Sequence, residues 1–244
     1  MFGVLQTLTM LGRETARIVL HASCVACDSP LNWRDRVGSC CRACWAALPA
    51  IGGAQCRSCA LPWSGEDPEY VCGACLSDPL PVDWTHAWGS YRGSLERVLH
   101  AFKFARHDWF SDSLAGHLES ALRQKGDLRF DVIAAVPMHR SKIRRRGYNQ
   151  AELLARALSR RVAIPFDGRL LSKAVERVAQ SSLPRAQRAG NVRNAFVAGP
   201  GVQGKAILLI DDVSTTGETI RACARVLLKA GAKRVCAAVL AKTE

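Results

Sequence analysis

No lysine occurs between Met1 and Asp83 of this 244-residue chain, and the six arginines of that segment are outnumbered by its eight acids. Its net charge is −2, whereas Trp84 to Glu244 holds 28 bases and 13 acids, or +15. An electrostatic DNA clamp is thereby excluded from the first third, and a polyanionic ligand, polyphosphate or nucleic acid, is expected on the remainder. No apolar run reaches the roughly 18 residues of a membrane span, and the first residues lack a basic n-region and a convincing cleavage site, so a cytoplasmic location is expected. Aromatics are 7% of the chain, and those near the basic segments are chiefly Tyr148 and Phe196, which weighs against extensive base stacking. In residues 1–20, Val4, Leu5, Leu8, Leu11, Thr15 and Ile18 recur at roughly helical spacing, with Arg13, Glu14 and Arg17 elsewhere, and predict a short amphipathic helix that packs on the rest.

Cysteine, by contrast, is concentrated. Nine of the eleven fall between positions 24 and 75, and eight of them form the pairs Cys24/Cys27, Cys41/Cys44, Cys56/Cys59 and Cys72/Cys75. Two residues between thiols let one knuckle aim both at a tetrahedral Zn²⁺. The distances between pairs favour sequential pairing into two Cys₄ sites, with a cross-braced arrangement left open, as is Cys40 in place of Cys41. Disulfides are disfavoured without a secretion signal. A stretch of about sixty residues poor in large aliphatics also needs metal binding as folding energy, and a closed Cys₄ site leaves no position for catalysis. Residues 21–80 are therefore expected to form a double zinc ribbon, and 84–244 a separate α/β domain with a mostly parallel sheet. Cys223 and Cys236 read as ordinary core residues.

The second concentration of chemistry is Ala206-Ile207-Leu208-Leu209-Ile210-Asp211-Asp212-Val213-Ser214-Thr215-Thr216-Gly217-Glu218-Thr219. Its aliphatic run without alternation predicts a buried parallel strand, placing Asp211 and Asp212 where the strand leaves the sheet, the usual ligand position in open α/β folds. Ile220, Cys223, Ala224, Leu227 and Leu228 then follow at helical spacing, so Thr215 to Thr219 lies at a helix N-terminus, where free N–H groups favour an anion. Gly217 lets the backbone approach a phosphate, and two carboxylates beside an anion site suit the vicinal hydroxyls of a ribose, directly or through Mg²⁺. Gly199 to Lys205 fits seven positions of a P-loop, but Ala206 replaces the required Ser/Thr and the segment precedes a strand. It reads as a turn.

Further strands are expected at Val132 to Val136 and Val235 to Leu240. After the first, Met138 to Gln150 is read as a basic loop, either a solvated face or, from its position after a buried strand, a site in which Arg144, Arg145 and Arg146 hold pyrophosphate. Gln180 to Phe196, with Arg185 and Arg188, lacks a period and reads as a surface connection or, as long loops in compact domains more often are, a lid that excludes water from a reacting centre.

The acid and Thr/Gly segment resembles the phosphoribosyl pyrophosphate (PRPP) motif of type I phosphoribosyltransferases. That resemblance implies that Asp211 and Asp212 hold the ribose hydroxyls and that Ser214, Thr215, Thr216, Gly217, Glu218 and Thr219 surround the 5′-phosphate, with the Glu218 side chain turned away. Arg144-Arg145-Arg146-Gly147-Tyr148-Asn149-Gln150, Gln180-Ser181-x-Leu183, Arg188-x-x-Asn191-Val192 and Ala195-Phe196, behind the cysteine pairs, look like the ComF family over essentially the whole chain after residue 20. The family implies two structural zinc ions, Mg²⁺ with PRPP, and a link to bacterial competence. The handling of imported single-stranded DNA is implied with it; in the adaptor alternative the +15 domain holds that DNA and the zinc module docks a helicase or uptake protein. The acceptor of any transfer is not implied, and a PRPP-binding regulator or a DNA-handling adaptor is the alternative to an enzyme.

Overall fold

The structure, a computed structural model, describes residues 23–31, 36–104, 110–173 and 196–244. The helix expected over residues 1–20, and Arg185 and Arg188 with almost all of the expected lid, lie outside the described residues.

The cysteine-rich part contains a hairpin of β1 (Arg36–Val37) and β2 (Cys40–Cys41), and two short helices, α1 (Arg42–Ala46) and α2 (Gly73–Ser77). The rest runs β3 (Thr85–Ser90), α3 (Gly93–Phe104), α4 (Phe110–Lys125), β4 (Val132–Ala135), α5 (Arg140–Arg146), α6 (Gln150–Val162), β5 (Leu171–Lys173), β6 (Phe196–Ala198), β7 (Ala206–Ser214), α7 (Glu218–Lys229) and β8 (Arg234–Lys242). Four of these strands form one parallel sheet in the order β3-β8-β7-β4. Successive side chains of a strand face opposite sides, so the complete burial of Ile207, Leu208, Leu209 and Ile210 requires cover on both faces. Helices α4 and α6 pack on each other, α4 over β3 and β8 and α6 over β4 and β7, while α7 lies against β7, β8 and β6.

Two expectations are corrected. Strand β7 does not leave the sheet at the acids: its pairing with β4 stops at Ile210, but its pairing with β8 continues to Ser214 opposite Lys242. Asp211 and Asp212 thus stay fixed to one neighbour while the other has ended. The basic segment after β4 is not a loop either. Arg140–Arg146 is helical because the His139 side chain caps its start and Gly147, at φ 95°, ends it in the left-handed region.

Edge strand β3 would be free to pair with another chain, but the cysteine-rich part covers it. Ser90 N–H donates to the Pro49 carbonyl (2.9 Å), Thr85 N–H to the Arg57 carbonyl (2.8 Å), and Ile51 N–H to the Trp88 carbonyl (2.9 Å). Between them the buried Gln55 amide imitates a peptide unit, accepting from Ala87 N–H (3.0 Å) and donating to the Ala87 carbonyl (2.8 Å). Gln55→Ala strands both Ala87 groups, and leaving a buried donor or acceptor unpaired costs about 1–3 kcal/mol. The urea midpoint should fall accordingly, with the slope unchanged.

Candidate functional site

The cysteines form two clusters, Cys24, Cys27, Cys41 and Cys44, and Cys56, Cys59, Cys72 and Cys75, each with its sulfurs within 4.8 Å of one another. This is the sequential pairing; the cross-braced alternative does not form, and Cys40 belongs to neither cluster. The two halves are a structural repeat. Ser23 bridges Pro30 as Gln55 bridges Pro62, Asp28 N–H closes on the Cys24 carbonyl as Ala60 N–H does on Cys56 (both 2.8 Å), and Asp28 and Ala60 share a positive φ near 60°. The signal was present in the sequence as Cys-x-x-Cys-x-x-Pro at Cys24 to Pro30 and again at Cys56 to Pro62. In each half the third cysteine, Cys41 or Cys72, stands at the N-cap of a short helix.

The donor chemistry fits Zn²⁺. Backbone N–H groups of Ala26 and Cys41 point at Cys24 Sγ (3.4 and 3.3 Å), and that of Cys72 at Cys56 Sγ (3.3 Å). Burial opposes ionisation of Cys24, yet these N–H groups outweigh it and bring the thiol down to about 6. At Cys56 the same contest leaves it at about 7. The thiolate form thus favoured at Cys24 and Cys56 is the form in which cysteine binds zinc, whereas burial raises Cys44, Cys59 and Cys75.

On the sheet, Asp211 Oδ1 accepts from Asp212 N–H (2.9 Å), and Asp212 Oδ1 from Val213 N–H (3.0 Å), so each carboxylate is held over the strand that carries it. Lys103, from the last turn of α3, places Nζ 2.8 Å from Asp212 Oδ2. Burial, and secondarily the charge of Asp212, push the Asp211 carboxyl well above the usual carboxylate range, against the smaller opposing pull of Lys103. Cys223, fully buried on α7, is raised by burial first and by Asp211 second.

Beyond the acids the chain turns at Gly217, φ 82°, into α7, whose N-terminus no side chain caps. Its first-turn N–H groups are left without a side-chain cap, and Thr215, Thr216 and Thr219 around the turn are exposed. Glu218 is drawn back along the helix to Arg221 Nε (3.0 Å). The loop is held from below by the buried Lys242, which ends β8 and donates to the carbonyls of Thr215 (2.6 Å) and Thr243 (2.7 Å). Ser214 is buried, and its hydroxyl has no partner among the described residues.

Lys103, Lys242 and Arg221 were missed in the sequence. Lys103 arrives from a helix more than a hundred residues upstream and carries no motif. Lys242 had a faint signal, a lysine closing an apolar strand run.

Arg144, Arg145 and Arg146 diverge in the structure. Arg144 lines a cavity of about 720 Å³ at the end of β4, together with His139, Phe166, Leu171 and Lys173. Arg146 is held by Gln150 Oε1 (2.6 Å) and lies 4.7 Å from the Phe104 ring centre, and Arg145 is exposed. Ala135 in the wall of this cavity pairs with Ile210, the residue before the acids.

Two Cys₄ knuckle pairs, and a parallel sheet carrying paired acids before an uncapped helix, define a zinc-ribbon protein with a phosphoribosyltransferase-type domain. Residues 15–76 match the double zinc ribbon domain family, and residues 143–244 the phosphoribosyl transferase domain family. DNA utilization protein YhgH of Escherichia coli (strain K12) is 32% identical over 184 residues, which cover 74% of this chain and 80% of that protein. Competence protein F of Haemophilus influenzae is 32% identical, over 70% and 79% of the two chains. Competence protein ComFC of Bacillus subtilis (strain 168) is 26% identical, over 85% and 89%. The chain belongs to the ComF family. Among the described residues no helix is long and apolar enough to cross a membrane.

Proposed function

We propose that this chain is a zinc-stabilised phosphoribosyltransferase that binds Mg²⁺·PRPP and serves the use of imported DNA, working in the cytoplasm, with its domains divided near residues 80 to 84. The carrying observation is the half-buried pair Asp211 and Asp212, followed at Gly217 by an uncapped helix N-terminus. In this reading the carboxylates take the ribose hydroxyls and the cation, the residues from Ser214 to Thr219 take the 5′-phosphate, and Lys103 is the counter-charge that Mg²⁺·PRPP replaces at Asp212. Bound Mg²⁺ would offset the charge of the departing pyrophosphate. Arg144 and Arg145, with Arg185 and Arg188 beyond the described residues, are assigned to that pyrophosphate and Arg146 to positioning. Catalysis by such a site is placement and charge stabilisation, and the protein supplies no nucleophile.

The experiment is a calorimetric titration with Mg²⁺·PRPP, followed by a pyrophosphate-release screen over bases and oligonucleotides. Affinity should rise with pH, because cation binding needs Asp211 ionised and its pKa lies above the usual range. The linked stability runs the other way. A carboxyl raised in the fold contributes stability below its unfolded value of about 3.9, and loses it as pH rises through the folded value. Absence of saturable binding at pH 8 would refute the reading.

A second reading, direct handling of single-stranded DNA, is favoured by the charge of +15 beyond Asp83 and by the names of the relatives. It requires affinity that falls steeply with salt, by about 0.7 in the log–log slope per phosphate contacted. Arg144→Ala with Arg145→Ala should then weaken DNA, whereas the Asp211/Asp212 pair should matter to PRPP alone.

A further inference from the structure

The second cysteine cluster and the phosphate loop meet through a short bridge, Asp78-Pro79-Leu80. Ser58, between ligands Cys56 and Cys59, is buried, and its hydroxyl accepts from Leu80 N–H (3.0 Å). The Leu80 side chain, also buried, lies directly under Gly217: a β-carbon there would stand 2.9 Å from Leu80 Cδ1. One turn into α7, Arg221 is buried to 8% side-chain exposure and spreads its guanidinium over the bridge. It donates to Asp78 Oδ1 (3.0 Å), to the Asp78 carbonyl (3.0 Å), to the Pro79 carbonyl (2.9 Å) and, by Nε, to Glu218 (3.0 Å).

A guanidinium buried to satisfy two consecutive carbonyls is a costly way to fasten a surface turn, and lysine could not reproduce its fork. What the clamp fastens is the first turn of α7, whose free N–H groups point at the ligand in the reading above. The first cysteine cluster docks elsewhere. Trp45 stacks on His117 (5.0 Å) and Phe110 (5.9 Å) of α4, and Arg97 of α3 donates to the Ala26 carbonyl (3.0 Å).

We propose that Arg221 and Leu80 are positioning residues through which the second zinc knuckle, by way of Ser58, sets the geometry of the Thr215–Thr219 loop. The two zinc ribbons thus differ in role: the second supports the anion loop, and the first covers α3 and α4. Assigning a consequence for Mg²⁺·PRPP rests on the proposed function, but the positioning itself does not.

The test is hydrogen exchange of the loop amides in the free, full-length, zinc-loaded protein, with Mg²⁺·PRPP affinity measured in parallel. Arg221→Lys, which keeps the charge and loses the fork, and Leu80→Ala, which removes the support under Gly217, should each speed exchange over Thr215 to Ile220 about tenfold, for Arg221→Lys the scale of one lost charge-assisted hydrogen bond. Both should weaken Mg²⁺·PRPP by a similar factor while zinc content and exchange in β4 and α4 stay at parental values. Ser58→Ala should act in the same direction. Arg97→Ala, which loosens the first cluster only, should leave the loop unchanged. Parental loop exchange in both Arg221→Lys and Leu80→Ala would overturn the proposal, as would equal loop effects from Arg97→Ala. If the parent binds no Mg²⁺·PRPP while the exchange pattern appears, the functional reading falls and the positioning role stands.

Discussion

Asp211→Asn combined with Asp212→Asn is expected to abolish Mg²⁺·PRPP binding in calorimetry while the domain stays folded. Each asparagine keeps an oxygen that can accept from the next residue's N–H, so the local backbone bonds survive. Removing the charges also relieves the repulsion and burial that raise Asp211 in the parent. The cost is at Lys103, about 20% exposed, which loses the Asp212 carboxylate. A partly exposed ammonium retains water, and the net change in stability should be within about 1 kcal/mol. Unaltered affinity in the double variant would sink the PRPP assignment. Gly217→Val is a blunter probe. It also blocks the backbone approach to phosphate, but it forces a branched residue to φ 82° against Leu80, so binding should vanish together with some stability.

Removing metal should have the larger structural effect. The purified protein is expected to carry two zinc ions per chain, and chelation, or Cys27→Ser in the first site, should unfold the ribbon concerned. Apparent zinc-binding free energies of small domains are about 10–16 kcal/mol, comparable to the whole stability of a domain. The loss would not stay local, because the same segment supplies Gln55, Pro49 and Arg57 to the edge of β3. Stripped protein should therefore aggregate through that edge, measurable by light scattering, and lose the Trp45–His117–Trp88 stack. Cys40→Ser and Cys236→Ser should leave the zinc content at two, since neither thiol belongs to a cluster. A folded, fully reduced preparation without zinc would contradict the assignment.

Much of this architecture was legible in the sequence because its signals are local. The two-residue spacing of the cysteine pairs is a property of a single knuckle, and a short aliphatic run without alternation is the pattern of a strand covered on both sides. The turn from acids to helix lies within fourteen consecutive residues, Ala206 to Thr219. For the same reason the basic segment was misread: a one-sided view of its charge overlooked His139 and Gly147, which cap it as helix α5.

What the amino-acid sequence determined by itself was therefore the inventory: eight cysteines in four knuckle pairs, a buried strand carrying paired acids, and a helix start after Gly217. The tertiary structure decided the partners. It brought Lys103 to Asp212, Lys242 beneath Thr215, Gln55 to the edge of β3, and Arg221 onto the bridge from the second ribbon. Each of these is a single polar side chain reaching across 27 to 143 positions of chain, or across 109 to Asp212. No periodicity records such a contact, because it is selected by the burial of an unpaired charge or peptide group that exists only once the sheet has formed.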